Sequence, residues 1–308
     1  MNRKINFRKG GRKRTAALLT GLILVTVPAM PLTAMAAVEA GQTYVSLGEN
    51  LTDEWREEVL RLFGISEEDL DGYSVVTVSS PEEHELFDSY LPQDVIGNES
   101  VSSSMITTQD AGHGIQVSTQ NITWCTAAMY QNALATAGIK DADVLIVSPV
   151  SATGTSALLG VTKAYSELTG TSLTAESLDA AAQELVLTGD IAEEIGDQEK
   201  AAELIASVKE AVASGSLDAE EIEDVIEEAA DQLDIDVSDL NTEDISGLME
   251  KIDDLDLDSE NLREQAGEVY DKLKEKGVEL GISKEKALSW FQRLINWFMN
   301  LLDSMTGR

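Results

Sequence analysis

Apolar residues at Trp55, Val59, Leu60 and Phe63 recur at three- and four-residue spacing, which predicts a helix over Asp53–Phe63. Val45–Leu47 ahead of it is a short apolar run that reads as a strand. Ser74–Val78 is β-branched and predicts a second strand; Pro81 stops it and suits the first turn of a following helix. Two stretches, Val101–Thr107 and Gly114–Thr119, alternate apolar and polar residues around Asp110-Ala-Gly112, the pattern of a hairpin. Ala127–Ala137 reads as a helix, Val144–Val147 as an apolar strand and Ser156–Leu168 as another helix. Strands interleaved with helices predict a layered α+β (or α/β) domain over residues 37–170.

Residues 171–281 predict helices only. Their starts share one form: an apolar residue, a capping residue, and an acid two positions on. Leu173-Thr174-Ala175-Glu176, Leu217-Asp218-Ala219-Glu220, Leu240-Asn241-Thr242-Glu243 and Leu257-Asp258-Ser259-Glu260 all show it. Each leading apolar residue has an apolar mate five positions later, which is the spacing of a hydrophobic staple beside an N-cap. Acids in the first turn meet the positive end of the helix dipole. Ile65-Ser66 with Leu70 repeats the signal in the first region. Tyr270 is the only aromatic residue of this region, so its helices must pack on small aliphatic side chains.

Residues 282–308 predict one further helix with an aromatic, apolar face built on Trp290, Phe291, Leu294, Trp297, Phe298 and Leu301. Such a helix can lie in a membrane interface, dock on the protein's own helices, or pair with another copy. At the other end, seven cations and no acids (Arg3 to Arg14) precede an apolar run from Ala16 to about Met30, then Ala34-Met35-Ala36. That is the pattern of an export signal, with Ala37 as the new N-terminus. Gly21, Pro28 and Pro31 interrupt the run, which makes it short for a membrane span; left uncleaved, it would serve as an N-terminal anchor.

Charge narrows the choice of partner. Without the leader, 15 cations face 56 acids, a net charge of −41. Nucleic acid is excluded as a partner, because binding its phosphates requires cations that displace counterions. Anionic lipids and acidic polymers are repelled, whereas cationic partners and loosely held divalent ions are favoured. One cysteine, Cys125, excludes an internal disulfide, and two histidines, His84 and His113, weigh against a zinc site built from several His or Cys ligands. No cofactor motif is present. Neither acid-rich stretch is an EF-hand loop: from Asp234, positions 6 and 12 hold Asp239 and Ile245, and from Asp254 they hold Ser259 and Gln265.

Two places carry candidate chemistry. Ser148-Pro-Val-Ser-Ala-Thr-Gly-Thr-Ser156 joins a strand to a helix, and Thr153, Gly154, Thr155 and Ser156 could hold a small anionic ligand on free helix-start amides. No Gly-Lys-Ser/Thr follows, so this is not a nucleotide loop, and hydroxyl residues also serve simply as caps. Cys125 stands near the start of a predicted helix, with His113 upstream as a conceivable base, or it is a small buried apolar residue.

The run from Asn121-Ile-Thr-Trp-Cys-Thr through Ala142, continuing to Ser148-Pro-Val-Ser-Ala-Thr-Gly-Thr-Ser-Ala-Leu158, resembles the YpuA-like family of exported Gram-positive proteins, known as a domain of unknown function. Val45-Ser-Leu-Gly-Glu-Asn-Leu-Thr-Asp-Glu ahead of Phe63-Gly64 is similar to that family's start, and the likeness covers about residues 43–215. The resemblance implies export and a cell-envelope setting, and it supplies no catalytic residues. The expectation is an envelope protein that binds a partner or small ligand without catalysing a reaction. Its rivals are a hydrolase-like enzyme using Cys125 or the 151–156 hydroxyls, and a divalent-cation-binding wall protein.

Overall fold

A computed structural model of the chain describes residues 40–170, 173–214 and 217–255. The predicted leader, Tyr270 and the predicted aromatic helix at 282–308, with Trp290, Phe291, Leu294, Trp297, Phe298 and Leu301, lie outside the described residues. Five strands, β1 (Thr43–Gly48), β2 (Ser74–Val78), β3 (Ser103–Thr108), β4 (Ile115–Ile122) and β5 (Ala142–Ala152), form one sheet in the order β2-β1-β3-β5-β4. The pairs β1–β2 and β4–β5 are parallel, and β3 is antiparallel to both β1 and β5. Four strands therefore point the same way, with β3 reversed among them. This is an α+β fold.

β3 and β4 do not form the expected hairpin, because β5 lies between them. Alternation identifies a strand but not its neighbour. Asp141, the residue before β5, accepts hydrogen bonds at Oδ1 from the amides of Gly112 (2.9 Å) and Gly114 (3.0 Å), which fastens the β3–β4 turn to the start of β5. β5 is apolar on both faces, as a central strand must be. Val144 and Ile146 enter one core cluster, while Leu145 and Val147 pack in another. β4 leaves Ser118 and Gln120 exposed and suits an edge.

Helix α1 (Asp53–Phe63) covers one face of the sheet, with Val59, Leu60 and Phe63 against Val45, Leu47 and Val147. Its ends match the sequence: Thr52 caps the Trp55 amide, and Gly64 turns left-handed at φ 75°. Ser66 starts no α-helix; it caps a turn through Asp69, and residues Asp69–Gly72 make a single 3-10 turn. The other face carries α2 (Ser80–Phe87), the short α3 (Gln93–Ile96), α4 (Ala127–Thr136) and α5 (Thr155–Thr169). α5 approaches the sheet closely. A Cβ on its Gly160 would stand 2.4 Å from Ser46 Oγ and 3.4 Å from Ser104 Oγ, so only glycine over two serines lets these backbones meet.

Helices α6 (Ala175–Ile195), α7 (Gln198–Ser214), α8 (Ala219–Gln232) and α9 (Thr242–Asp253) follow. The expected caps at Thr174, Asp218 and Asn241 are present, and Asp218 completes a capping box with Glu221. α6 joins two cores. Ala181, Ala182, Leu185 and Val186 pack in the cluster of the sheet, whereas Leu187, Ile191 and Ala192 pack with α7, α8 and α9. No helix among the described residues is long and apolar enough to cross a membrane.

Candidate functional site

Because β1, β2, β4 and β5 run in one direction, the helices that follow them all begin at one edge of the sheet. In open sheets flanked by helices, ligands are taken at this carboxyl-end edge. β4 and β5 leave the sheet side by side here. The Thr123 amide donates to Ala152 O (2.9 Å) and the Cys125 amide to Thr153 O (3.1 Å), after which each chain turns into its helix. The two segments singled out in the sequence, 121–126 and 148–156, are thus one structure.

Most of the expected strand-to-helix connection is strand. Val147 pairs with Gln120 and Ala152 with Ile122, so Ser148–Ser151 bulge opposite Asn121 alone. Asn121 takes φ 61° and donates from Nδ2 to Ser148 O (2.8 Å), which shapes the bulge, and Val150 at its tip is exposed. The turn itself is Thr153-Gly154. Gly154 sits at φ 102°, and a Cβ there would stand 2.3 Å from the Tyr130 hydroxyl and 2.7 Å from Ile122 Cγ2. No other residue fits this corner, where Tyr130 donates to Gly154 O.

The start of α5 is met by the protein's own carboxylate. Thr155 Oγ1 donates to Glu83 Oε1 (2.6 Å), and the Ser156 backbone bonds the same group. Burial pushes the Glu83 carboxyl up to about 7, and the Thr155 hydroxyl, the charge of His84 and the Ser156 amide pull it back in part. Glu83 is delivered by α2, whose start is set by Pro81 and a capping box between Ser79 and Glu82. Glu82 also reaches Lys163 of α5 (2.7 Å), and this lysine chiefly holds its carboxyl down at about 2. Gly154, Thr155 and Ser156 are accordingly buried around Glu83, while Thr153 is half-buried at the rim. Nothing in the sequence marked Glu83 out among 56 acids.

Cys125 is buried and its thiol is pushed up to about 12, chiefly by burial, with a hydrogen bond to Tyr130 pulling the other way. His113 stands at the opposite edge, ahead of β4, where Nε2 meets Asp143 Oδ1 at 2.9 Å. Eight residues of β4 separate the two ends, roughly 25 Å of extended chain. The structure therefore does not bring Cys125 and His113 together. The hydroxyl–carboxylate contact between Thr155 and Glu83 is enclosed, each residue no more than 3% exposed. At this edge the Cys125 thiol and the Thr155 hydroxyl are thus both held inside the packing. Among the described residues, no group of three or more His, Cys, Asp or Glu side chains could hold a metal ion.

Trp124 is the large aromatic side chain of the site, packed in part against the core of the sheet. It lies beside Thr153 in the paired segments and is half-buried. Its indole Nε1 donates to Glu193 Oε1 of α6 (3.0 Å), and its carbonyl accepts from Gln198 Nε2 (3.4 Å). The ring rests on Gly189 of α6, where a Cβ would come within 2.2 Å of Cζ2. The glycine in the middle of that helix is explained by the ring above it.

The profile of a family described as protein of unknown function (DUF1002) matches residues 47–269. The chain is also 33% identical over 292 residues to the uncharacterized protein YpuA of Bacillus subtilis (strain 168), an alignment covering 94% of this chain and 96% of that one. No solved structure matches.

Proposed function

Since the chain belongs to the DUF1002 family, which carries no assigned chemistry, we propose from the geometry that it is an exported cell-envelope binding protein without catalytic activity. The ligand or partner is taken at the carboxyl-end edge of the sheet, beside Thr153 and the 148–151 bulge. The observation that carries this reading is the convergence of α2, α4 and α5 on that edge, where Cys125 is buried far from His113 and the Thr155–Glu83 pair is enclosed. The leader at 1–36 supports export, and the charge of −41 disfavours nucleic acid and anionic surfaces. The acidic helices keep the body soluble, and the aromatic segment at 282–308 serves placement, by membrane contact or self-association.

Replacing Thr153 by arginine fills the rim without entering the core, because Thr153 is half-buried. In cells making the tagged protein, the wild type is expected in the envelope fraction and Thr153→Arg largely in the medium. Equal retention of both would remove the edge from the account. A chain with Trp290, Phe291, Trp297 and Phe298 changed to glutamine separates the two anchoring devices. If it alone is released, placement rests on the tail.

A further inference from the structure

The geometry points to an uncharged glycan chain as the ligand of this edge, stacked on Trp124. The inference deepens the binding reading above and rests on it. Sugar rings offer a nonpolar face of C–H groups and a rim of hydroxyls, so a protein recognises them with a fixed aromatic surface edged by polar groups. Trp124 is such a surface. One part of its ring is seated on Gly189, its indole N–H is held by Glu193, and its backbone carbonyl is tied to Gln198. The ring is thereby ordered before any ligand arrives, which lowers the entropy lost on binding.

The surroundings of the ring have the matching chemistry. Glu193 and Gln198, which bond Trp124, and Asn121, Thr123 and Ser151 of the same paired segments are all exposed, supplying amide, hydroxyl and carboxylate groups in the mixture a sugar requires. Two of them are tied into the local backbone: Asn121 donates to Ser148 O, and Thr123 Oγ1 donates to Ala152 O at 3.0 Å. Charge selects among polymers. No cation stands in this set, and the exposed Glu194 and Asp190 flank Glu193 on α6, so an anionic polymer is repelled. A basic peptide would be attracted by charge anywhere on so acidic a chain; a single ordered tryptophan in a polar, cation-free rim favours an uncharged glycan at this place.

The test is titration of the full mature chain with the tetramer of N-acetylglucosamine, followed by calorimetry. The wild type is expected to bind saturably. Trp124→Ala should lose about tenfold or more in affinity, the scale expected when a central aromatic contact is removed. Gly189→Ala, which keeps the indole but unseats it, should weaken binding to an intermediate degree, with an unchanged unfolding midpoint showing that the fold survives. No saturable binding by the wild type, or equal binding by Trp124→Ala, overturns the glycan assignment. Neither result alters the outcome of the Thr153→Arg fractionation, which judges the edge independently of its ligand.

Discussion

Replacing Lys209 by methionine is expected to destabilise the protein by about 3–5 kcal/mol, the loss typical of removing one partner from a buried ion pair. Lys209 of α7 is 3% exposed and Glu184 of α6 is fully buried. Lys209 Nζ donates to Glu184 Oε1 (2.6 Å), to Asn132 O (2.8 Å) and to Thr136 Oγ1 (3.1 Å), and Thr136 in turn donates to Glu184. Three helices are joined at one ammonium group. Burial lowers the lysine's pKa and Glu184 opposes that shift. Methionine fills the same space but leaves the Glu184 charge in an apolar interior with only a hydroxyl for company. Replacing both residues, Lys209→Met with Glu184→Leu, should recover most of the loss, because no buried charge then remains. Chemical denaturation of the two variants checks this. A single variant within about 1 kcal/mol of the wild type, a surface-pair magnitude, would show that the pair is hydrated.

The second large effect is a gain in stability on mild acidification. Glu203 of α7 is 3% exposed, its Oε2 has no hydrogen-bond partner, and burial, aided by the charge of Glu210, pushes its carboxyl up to about 8. Glu83 is pushed up to about 7. For a carboxyl whose folded pKa is raised, the folded state holds the proton more tightly than the unfolded chain. Its contribution is complete below the ordinary value of 4.5 and is lost as pH rises through the folded pKa. The window is therefore about pH 4.5 to 8. Asp190 is raised by burial, and His84 by its bond to Asp88, so both act in the same direction. Glu82, held down at about 2, opposes this only below its ordinary range.

Each tenfold gain in proton affinity on folding is worth about 1.4 kcal/mol, so between pH 8 and pH 5 Glu83 accounts for roughly 2–3 kcal/mol and Glu203 for roughly 3–4 kcal/mol. The unfolding free energy should thus rise by several kcal/mol over that interval. Glu203→Gln should flatten the dependence by being more stable than the wild type at pH 8 and similar at pH 5. A profile that is flat, or highest at pH 8, would mean that neither carboxyl is desolvated in solution.

Much of the fold was legible because it is encoded locally. The helix over Asp53–Phe63, the strand at Ser74–Val78 and the caps at Thr174, Asp218 and Asn241 depend on neighbours within a few residues, and the structure has each of them. Pairing is not local. The stretches ending in β3 and β4 alternate as hairpin strands do, yet β5, formed later in the chain, separates them. The site divides in the same way. Thr153–Ser156 could be picked out by composition at a helix start, but the carboxylate that meets it comes from Glu83, 72 positions away. Nor does Trp124 announce its role in sequence, since its seat, Gly189, belongs to a helix 65 residues later. Lys209 and Glu184 look like ordinary surface residues of acidic helices until the three-helix contact removes them from water.

The most direct test of the account is a photo-crosslinking residue placed, in turn, at Thr153 on the carboxyl-end edge and at Asp110 on the exposed turn at the other end of the sheet. The full chain would be made in cells and irradiated in the intact envelope. Binding at the carboxyl-end edge predicts a light-dependent shift in mass from position 153 and none from position 110. Adducts from 110 alone, equal adducts from both, or none from either would contradict it.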